Sequence, residues 1–476
     1  MTEGEVPTAV LVGVQLPDVS DDAFERSLVE LERLADTLGL RVVGRVVQRL
    51  AHLERAAVLG SGKLRELARW TGGPGVVPSA VPAHRRRKAG RRLADASDQP
   101  EPDAPLEAAD GDDKSPATAE GERAARARVV LVDHEITPSQ LRNLERATGA
   151  EVLDRTGVIL AIFHRHARSR EARLQVELAR LRHEAPRLRE AGAGADRVRG
   201  GIGGKGAGES ALELDRRRIR DRIAELRREL DAIERSARVR RAHRGEACTV
   251  ALVGYTNAGK SSLMRALTGS DVLVADALFA TLDTTVRVLR PETVPRILVT
   301  DTVGFIDRLP HALVASFRST LAEAREADLL VHVVDAADPA HERQMQVTVE
   351  VLAELEAAHL PRLLAFNKAD RLDEATRGAL AERWPDAWIG SALDPDDVGR
   401  LRDRITAHFE RDLVEHTLEL SFAQLSRLGA LRRACRVLDE RWTEAGVRLR
   451  LRGPHALIEA LRSGGAWPAD DPAGPP

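Results

Sequence analysis

The chain has little of several features that mark common classes of protein. It contains only two cysteines, Cys248 and Cys435, among 476 residues, so we expect a reducing compartment and no disulfide framework. Aromatic residues make up 3% of the chain, which disfavours an aromatic-rich β fold. No apolar run approaches the length of a membrane span, and the first residues lack the basic start and long apolar stretch of a signal peptide. These absences predict a cytoplasmic protein.

Charge is abundant but balanced. Charged residues make up 31% of the chain, yet the net charge is −2, so no general attraction to nucleic acid is expected and any basic surface must be local. Hydrophobic residues make up 43%, which is enough for folded cores, and the length allows about two to four domains. High charge combined with few aromatics favours long charged helices.

The first 163 residues alternate between strand and helix patterns, which predicts a small parallel sheet. Thr8–Leu16 is typical of a buried strand and is followed by an amphipathic helix with a glycine stop. Residues 158–166, VILAIFHRH, predict another strand. Between about 72 and 126, clusters of Pro, Gly, Ala and Asp predict a disordered insertion. Its basic run, HRRRKAGRR, could contact RNA, but a solvated charge run is the simpler interpretation.

Two long amphipathic helices are predicted between residues 164 and 245. Their apolar residues recur at spacings of three and four, which predicts an antiparallel helical hairpin. These residues are Leu174, Leu178, Leu181, Ala185 and Leu188, then Leu212, Ile219, Ile223, Leu226, Leu230, Ile233 and Ala237. The joining loop, Gly192–Ser210, is long, glycine-rich and cationic. That composition favours a close approach to phosphate, and a flexible connector is the alternative.

The most specific motif begins at Gly254. The residues GYTNAGKS, ending at Ser261, fit G-x-x-x-x-G-K-[ST] between a predicted strand and a predicted helix. In such a loop, backbone N–H groups and the helix N-terminus bind the α- and β-phosphates, and the lysine, here Lys260, reaches the β- and γ-phosphate oxygens. The hydroxyl of Ser261 is the expected Mg²⁺ ligand. The chain therefore contains a predicted P-loop nucleotide site.

Three further segments extend this site. RILVTDTVG predicts a strand that ends at Asp301, from which a carboxylate can hold the Mg²⁺ shell through water, with the Gly304 N–H free for a γ-phosphate. The strand LLAFNKAD ends in Asn367–Asp370, where a carboxylate can accept from two N–H donors of guanine. Ser391–Ala392 ends another strand and favours a backbone N–H to the guanine carbonyl. Guanine is therefore predicted over adenine.

The segment ALFATLDTTVRVL contains threonines, one of which is expected to close over Mg²⁺ when a γ-phosphate is present. Thr281 is the first choice, and spacing leaves Thr284 and Thr285 open. After Gly304, where many GTPases carry a water-positioning glutamine, this chain has Phe305. A phenyl ring cannot hydrogen-bond the attacking water, so no catalytic side chain is assigned and unaided hydrolysis is expected to be slow.

Together these segments resemble the HflX family of translation-associated GTPases, in the TRAFAC class. The resemblance rests on strings such as GSGKLREL, TPSQLRNLE, GAGESALELDRRRIRDRI, GYTNAGKSSL, LFATLDTT and DTVGFIDRLPH, and it covers nearly the whole chain outside 72–126 and the last dozen residues. It implies an α/β multidomain protein. The expected domains are an N-terminal α/β domain (1–163), a helical hairpin (164–245), a P-loop GTPase domain (246–410) and a small α/β C-terminal domain (411–476).

The resemblance also implies a GTP and Mg²⁺ site and favours Thr281 as the switch threonine, which with Ser261 would be a metal ligand. The residues expected to contact GTP are Gly254, Tyr255, Thr256, Asn257, Ala258, Gly259, Lys260, Ser261, Phe279, Ala280, Thr281, Leu282, Asp283, Asp301, Thr302, Val303, Gly304, Asn367, Lys368, Ala369, Asp370, Ser391, Ala392 and Leu393.

Beyond the nucleotide, the resemblance implies a monomer that binds the large ribosomal subunit when GTP is bound and splits stalled or idle 70S ribosomes. The hairpin loop would reach rRNA, and the ribosome would stimulate hydrolysis. At this loop the chain has GGKGAGES where family members usually show Gly-Pro-Gly-Glu followed by Thr-Gln. The candidate rRNA contacts are Lys205, Arg216, Arg217 and Arg218. Ion pairing of the arginines with Asp215 and Asp221 is an equal alternative.

Two functions from other classes fit the same residues. One is a nucleotide-gated RNA-binding or remodelling protein in which hydrolysis is incidental and the hairpin clamps RNA. The other is a signalling GTPase that dimerises through the hairpin seam.

Overall fold

The structure, a computed structural model, describes residues 6–53, 56–77, 126–193, 211–242, 247–270, 277–310, 313, 322–411 and 413–454. The predicted insertion at about 72–126 and the predicted loop Gly192–Ser210, with Lys205, fall largely or wholly outside these residues. The chain divides into two compact units, Met1–Val158 and Ile159–Pro476.

A parallel four-stranded sheet forms the centre of the first unit. Its strand order is β2-β1-β3-β4, and each neighbouring pair is parallel. Seven of the eight residues of β1 are buried, as expected for an unbroken apolar run covered on both faces. The strands are β1 (Thr8–Gln15), β2 (Arg41–Arg49), β3 (Val129–Val132) and β4 (Glu151–Asp154). The helices are α1 (Asp21–Thr37), α2 (Ser61–Thr71) and α3 (Pro138–Thr148).

The helix ends of this unit follow signals that the sequence contains. The Ser20 hydroxyl accepts a hydrogen bond from the Ala23 N–H before α1. Thr137 and Gln140 form a reciprocal capping box before α3, so backbone donors of the first turn are satisfied. α3 ends at Gly149, where φ is 65°, a left-handed conformation that glycine adopts without a Cβ clash. The capped helix predicted here is confirmed.

The strand predicted over residues 158–166 is wrong, because these residues belong to the helix α4 (Arg155–His166). The carboxylate of Asp154 accepts a hydrogen bond from the Gly157 N–H at 2.8 Å, which starts the helix directly after β4. A short apolar run cannot distinguish a buried strand from a buried helix. The buried side chains recur at helical spacing: Val158, Ile159, Ile162 and Phe163.

Two long helices, α5 (Arg170–Ala193) and α6 (Ala211–Ala242), form the predicted hairpin. Their seam buries three leucines and packs four further apolar side chains against them, which confirms the predicted pattern. The buried leucines are Leu174, Leu178 and Leu226, and the others are Leu181, Ile223, Leu230 and Ile233. No helix of the described chain is long and apolar enough to span a bilayer.

Ion pairs across the seam define the direction of the two helices. Arg170 pairs with Glu229 at 2.8 Å, and Glu177 pairs with Arg222 at 2.8 Å. The residue number rises on α5 while its partner's number falls on α6, so the helices are antiparallel. Because the side chains of both pairs are partly exposed, these pairs define alignment more than they add stability.

A six-stranded sheet lies in the second unit, in the order β10-β9-β8-β5-β7-β6. Of the described pairs, β6–β7 is antiparallel and the others are parallel. The carboxyl ends of the parallel strands therefore share one edge, where open α/β sheets bind ligands. The strands are β5 (Cys248–Gly254), β6 (Thr285–Val288), β7 (Ile297–Asp301), β8 (Leu329–Asp335), β9 (Arg362–Asn367) and β10 (Trp388–Ile389).

Helices of this region flank the six-stranded sheet in sequence. They are α7 (Lys260–Thr268), α8 (Ala322–Arg325), α9 (His341–Glu354), α10 (Glu374–Arg383) and α11 (Pro395–Glu410). The predicted α/β class with a P-loop GTPase domain is confirmed by this architecture.

The C-terminal described residues form an antiparallel sheet in the order β11-β13-β12. In the alternating VRLRLR, Val447, Leu449 and Leu451 are buried, so the arginines between them take the opposite, exposed face. The predicted order of strand, helix and strand is confirmed, and a hairpin adds a third strand. The elements are β11 (Leu413–Ser421), α12 (Leu428–Ala434), β12 (Arg436–Thr443) and β13 (Gly446–Pro454).

Truncation of the seam leucine is expected to loosen the hairpin. Leu226 is 0% exposed between α5 and α6, so Leu226→Ala should cost about 2–5 kcal/mol locally. Hydrogen exchange of peptides from both helices should accelerate. Leu214→Ala is the matched control, since Leu214 lies on the same helix and is 39% exposed. Equal exchange in the two variants would contradict the packing described here.

Candidate nucleotide-binding site

The loop between β5 and α7 adopts a backbone that few side chains allow. Gly259 has φ 92° immediately before the first residue of α7, and Asn257 has φ 60°. A Cβ on Gly259 would lie 2.1 Å from Nδ2 of Asn367, and a Cβ on Gly254 would lie 2.2 Å from the carbonyl oxygen of Val333. Both glycines are therefore required by close approach as well as by conformation.

Lys260 extends back along this loop. Its Nζ donates to the carbonyl oxygens of Gly254 at 3.0 Å and Tyr255 at 2.8 Å. Burial lowers the pKa of Lys260 to about 8, although the nearby Asp301 carboxylate opposes the shift. Burial likewise raises the pKa of Asp301. Both shifts show that charge here lacks solvent, so a bound anion beside Lys260 and a bound cation beside Asp301 would restore the charged forms.

Three oxygen-bearing side chains meet beside the loop. The Ser261 hydroxyl donates to Oδ2 of Asp301 at 2.6 Å and lies 2.8 Å from Oγ1 of Thr281. The other carboxylate oxygen of Asp301, Oδ1, is buried and accepts no hydrogen bond from the described residues. Hard oxygen donors in this arrangement suit Mg²⁺. No group of three or more His, Cys, Asp and Glu side chains that could hold a metal occurs in the described chain, so further ligands would come from phosphate or water.

The segment after Asp301 pairs with the phosphate loop through its backbone. Phe305 and Tyr255 form a parallel β-bridge, in which the Thr256 N–H donates to the Phe305 carbonyl at 2.7 Å and the Phe305 N–H to the Gly254 carbonyl at 3.1 Å. Phe305 is 1% exposed, so its ring packs inside the protein. A Cβ on Gly304 would lie 2.8 Å from the Cα of Thr256, and only glycine allows this approach.

Asn367 connects the phosphate loop to the loop after β10. Its Nδ2 donates to the Ala258 carbonyl at 2.9 Å, and its Oδ1 accepts from the Ala392 N–H at 3.0 Å. Lys368 pairs with Asp335 at 2.7 Å, with both side chains mostly buried. The Ser391 N–H donates to the Asp397 carboxylate at 2.8 Å.

These segments surround one cavity, which contains most of the predicted contact residues. The cavity is lined by Thr256, Asn257, Gly259, Lys260, Ser261, Phe279, Ala280, Thr281, Thr302, Gly304, Asn367, Lys368, Asp370, Ser391, Ala392 and Leu393. Predicted residues outside this lining are Gly254, Tyr255, Ala258, Leu282, Asp283, Asp301, Val303 and Ala369. Asp283 directs its carboxylate to Arg168 and Ser169.

Three lining residues were not predicted: Ser262, Ala277 and Arg371. Ser262 directly follows the G-K-S motif on α7, so its backbone position gave a usable signal. Arg371 follows Asp370, and its side chain is long enough to reach the cavity, but no motif marks it. Ala277 carries no chemical signal in the sequence.

Substitution of Gly259 should disrupt this site. Gly259→Ala combines a strained φ with a clash against buried Asn367, so nucleotide affinity should fall at least about tenfold. Fluorescent nucleotide titration measures it. Gly378→Ala is the control, because a Cβ at Gly378 on α10 meets no atom within 4 Å and should be neutral or slightly stabilising. Unchanged affinity in Gly259→Ala would show that Asn367 tolerates displacement.

Three family models match the sequence along most of its length. The model described as GTP-binding GTPase N-terminal matches residues 25–75 and 99–164. The model described as GTP-binding GTPase Middle Region matches residues 166–244, which contain both hairpin helices. The model described as 50S ribosome-binding GTPase matches residues 249–368, which contain the phosphate loop.

Whole proteins with similar sequences carry one name. A GTPase HflX of Gluconacetobacter diazotrophicus is 56% identical over 465 residues, which cover 97% of this chain and 98% of that protein. The GTPase HflX of Escherichia coli K12 is 42% identical over 351 residues, 72% of this chain and 82% of that protein. A solved GTP-binding protein from Sulfolobus solfataricus in complex with GDP has 22% identity and a TM-score of 0.41, and the match covers 84% of this chain and 98% of that one. The similarity along nearly the whole chain shows that the protein belongs to the HflX family of GTPases and binds and hydrolyses GTP.

Proposed function

We propose that this GTPase binds the large ribosomal subunit when GTP is bound, splits stalled or idle 70S ribosomes, and hydrolyses GTP efficiently only there. The observation that carries the proposal is the burial of Phe305 in a backbone bridge to Tyr255. This position, which often carries a polar water-positioning side chain, has none, so a partner must complete the hydrolytic site. The match of residues 249–368 to a family described as 50S ribosome-binding GTPase indicates which partner.

The phosphate groups of GTP would lie on the loop from Gly254 to Ser261. Left-handed backbone at Asn257 and Gly259 turns N–H groups toward one concave surface, which suits phosphate oxygens. Lys260 Nζ, already held by two carbonyl oxygens, would contact the β- and γ-phosphates. The Gly304 N–H would receive the γ-phosphate, because Gly304 lines the cavity beside Lys260.

Ser261 and Thr281 would hold Mg²⁺, with Asp301 acting through water. Their side-chain oxygens already converge, and the unsatisfied Oδ1 of Asp301 fits an aqua ligand. When bound, Mg²⁺ would neutralise charge on the β- and γ-phosphate oxygens. Thr281, rather than Thr284 or Thr285, is proposed because its hydroxyl lies 2.8 Å from that of Ser261.

The guanine base would lie between Asp370 and the loop from Ser391 to Leu393. Asp370 is exposed at the cavity, where its carboxylate can accept from two adjacent N–H donors of guanine. Asn367 fixes the distance between the phosphate loop and the base loop through its two hydrogen bonds. Adenine would leave the Asp370 carboxylate without donors, so guanine is preferred.

The hairpin would contact rRNA through its tip and the adjoining arginines. Arg217 and Arg218 are exposed on α6, and Arg218 pairs with Asp215 at 3.2 Å while its side chain stays 78% exposed. An exposed pair of this kind adds little stability, so a phosphate could replace the carboxylate. Lys205 lies outside the described residues, and its contact with rRNA is proposed from the sequence alone.

Large ribosomal subunits should raise the rate of GTP hydrolysis at least about tenfold, since a partner that completes a phosphoryl-transfer site can contribute far more. With a non-hydrolysable GTP analogue, gradient sedimentation should show 70S particles converted to subunits. Lys260→Ala should abolish both effects. Equal turnover with and without ribosomal particles would contradict the proposal.

The same gradients separate the other candidate functions. RNA binding without loss of 70S particles would favour a remodelling protein, and a dimer indifferent to ribosomes would favour a signalling GTPase. Replacement of Arg216, Arg217 and Arg218 by Glu should weaken stimulation and its salt dependence. Arg228→Glu is the matched control, because Arg228 is exposed further along the same helix.

GTP affinity should fall above pH 8. Phosphate keeps Lys260 protonated, whereas in the free protein its pKa is about 8, so binding at higher pH requires uptake of a proton. Affinity should be about six- to sevenfold lower at pH 8.8 than at pH 7. Equilibrium titration at constant Mg²⁺, with calorimetry in buffers of different ionisation enthalpy, measures the affinity and the proton uptake. Constant affinity without proton uptake would mean that Lys260 is charged in the free protein.

A further inference from the structure

The segment that carries Thr281 is attached to the base of the hairpin at two points. We define this switch segment as residues 277–284. At its C-terminal end, Oδ2 of Asp283 accepts hydrogen bonds from the N–H groups of Arg168 and Ser169, each at 3.1 Å. Oδ1 of Asp283 accepts a further hydrogen bond from the Ser169 hydroxyl. One carboxylate therefore takes three donors from a region 114 residues away in sequence.

Those donors belong to the start of helix α5. Ser169 is its N-cap, since the Ser169 hydroxyl accepts from the Ala172 N–H at 3.0 Å and the Ser169 carbonyl accepts from the Arg173 N–H at 3.1 Å. The positive end of the helix dipole and the unsatisfied N–H groups favour a negative charge at this place. Asp283 thus completes the cap of the first hairpin helix from outside that helix.

The second attachment lies at Phe279, two residues before Thr281. The rings of Phe279 and Phe163 meet edge to face with centroids 4.7 Å apart. His166 hydrogen-bonds the backbone of Phe279. Phe279 is 2% exposed and has φ 57°, a strained conformation for an aromatic residue that persists only where the surroundings enforce it.

Thr281 lies midway between these attachments, with one residue separating it from each. Its hydroxyl is 2.8 Å from the Ser261 hydroxyl, which itself bonds Asp301. A segment so short has little freedom, so the position of Thr281 depends on the α5 cap on one side and the aromatic contact on the other.

We propose that Asp283 is a positioning residue for the nucleotide site: its bond to the α5 cap holds Thr281 where it binds Mg²⁺ beside the γ-phosphate. The proposal rests on the metal role of Thr281 proposed above and does not depend on ribosome binding. Because coupling between sites is reciprocal, closure of Thr281 on GTP and Mg²⁺ stabilises the cap, and displacement of α5 weakens the hold on GTP.

A purely local role for Asp283 would give a different result. If the carboxylate only stabilised α5, its removal would weaken the helix and leave nucleotide preference unchanged. The ratio of affinities for a non-hydrolysable GTP analogue and for GDP separates these two cases, because only the triphosphate with Mg²⁺ recruits the switch threonine.

The test compares four variants by titration of fluorescent GTP analogue and GDP with Mg²⁺. Asp283→Ala should lower analogue affinity about tenfold, the effect expected from loss of a cap bond, and change GDP affinity less than about twofold. Asp283→Asn, which keeps one accepting oxygen, should be intermediate. Thr281→Ala is the reference for loss of the switch contact. Asp373→Ala is the matched control, because Asp373 caps α10 through the Thr376 N–H at 2.8 Å.

A double-mutant cycle with Ser169→Ala tests the bond itself. Asp283→Ala should have a smaller effect on analogue affinity in the Ser169→Ala background than alone, because the two residues act through one contact. The Mg²⁺ concentration needed for half-maximal analogue binding should rise in Asp283→Ala and stay unchanged in Asp373→Ala.

The outcomes distinguish this proposal from the metal site on which it rests. If Thr281→Ala weakens the analogue and Asp283→Ala does not, Asp283 is a structural cap and the positioning role is wrong. If Thr281→Ala itself has no effect on analogue affinity, the metal role of Thr281 fails first. Additive effects of Asp283→Ala and Ser169→Ala would also overturn the proposal, since they exclude action through their shared bond.

Discussion

The geometry of the nucleotide site depends on the side-chain amide of Asn367. It donates to the phosphate loop at Ala258 and accepts from the base loop at Ala392, so it fixes the separation of two loops that contact opposite ends of a nucleotide. Its Nδ2 occupies the space that any side chain at Gly259 would need. The amide is 99% buried, at 1% exposure, where an unsatisfied donor or acceptor is costly. Asn367 therefore favours one arrangement of the loops before any ligand binds.

Charge in this pocket is prepared for a ligand that brings both signs. Burial lowers the pKa of Lys260 to about 8 and raises that of Asp301, so the empty pocket disfavours the charged forms that phosphate and a metal ion require. Nearby His332, 2% exposed on β8, has a pKa lowered by burial to about 3 and stays neutral. Part of the binding energy of GTP is thus used to restore charge.

Sequence predicted the parts of the site that are defined by short-range motifs. Gly254 to Ser261, Asp301, Gly304 and Asn367 to Asp370 come from strings whose spacing is set by one loop or one strand end. Arg371 was missed because nothing in a string shows where a long side chain turns. The bond from Asp283 to Ser169 was missed because it joins residues 114 apart, and only the fold brings them together.

The fold was predictable to a similar depth. Strands such as β1 and capped helices such as α3 follow from apolar runs and cap residues that local physics interprets. Residues 158–166 were assigned wrongly because an apolar run of that length fits a buried strand or a buried helix equally well. The start at Asp154, whose carboxylate caps the helix, decides between them.

The length of the hairpin gives its attachment point mechanical importance. Helix α5 has 24 residues, about 36 Å at 1.5 Å per residue, and its first turn is the part bonded to Asp283. A tilt of about 5° at that end would carry the far end through about 3 Å, if the helix stays straight. The arrangement is that of a lever whose pivot lies beside the nucleotide, in which atomic-scale changes near Thr281 become displacements large enough to break or make contacts at the tip.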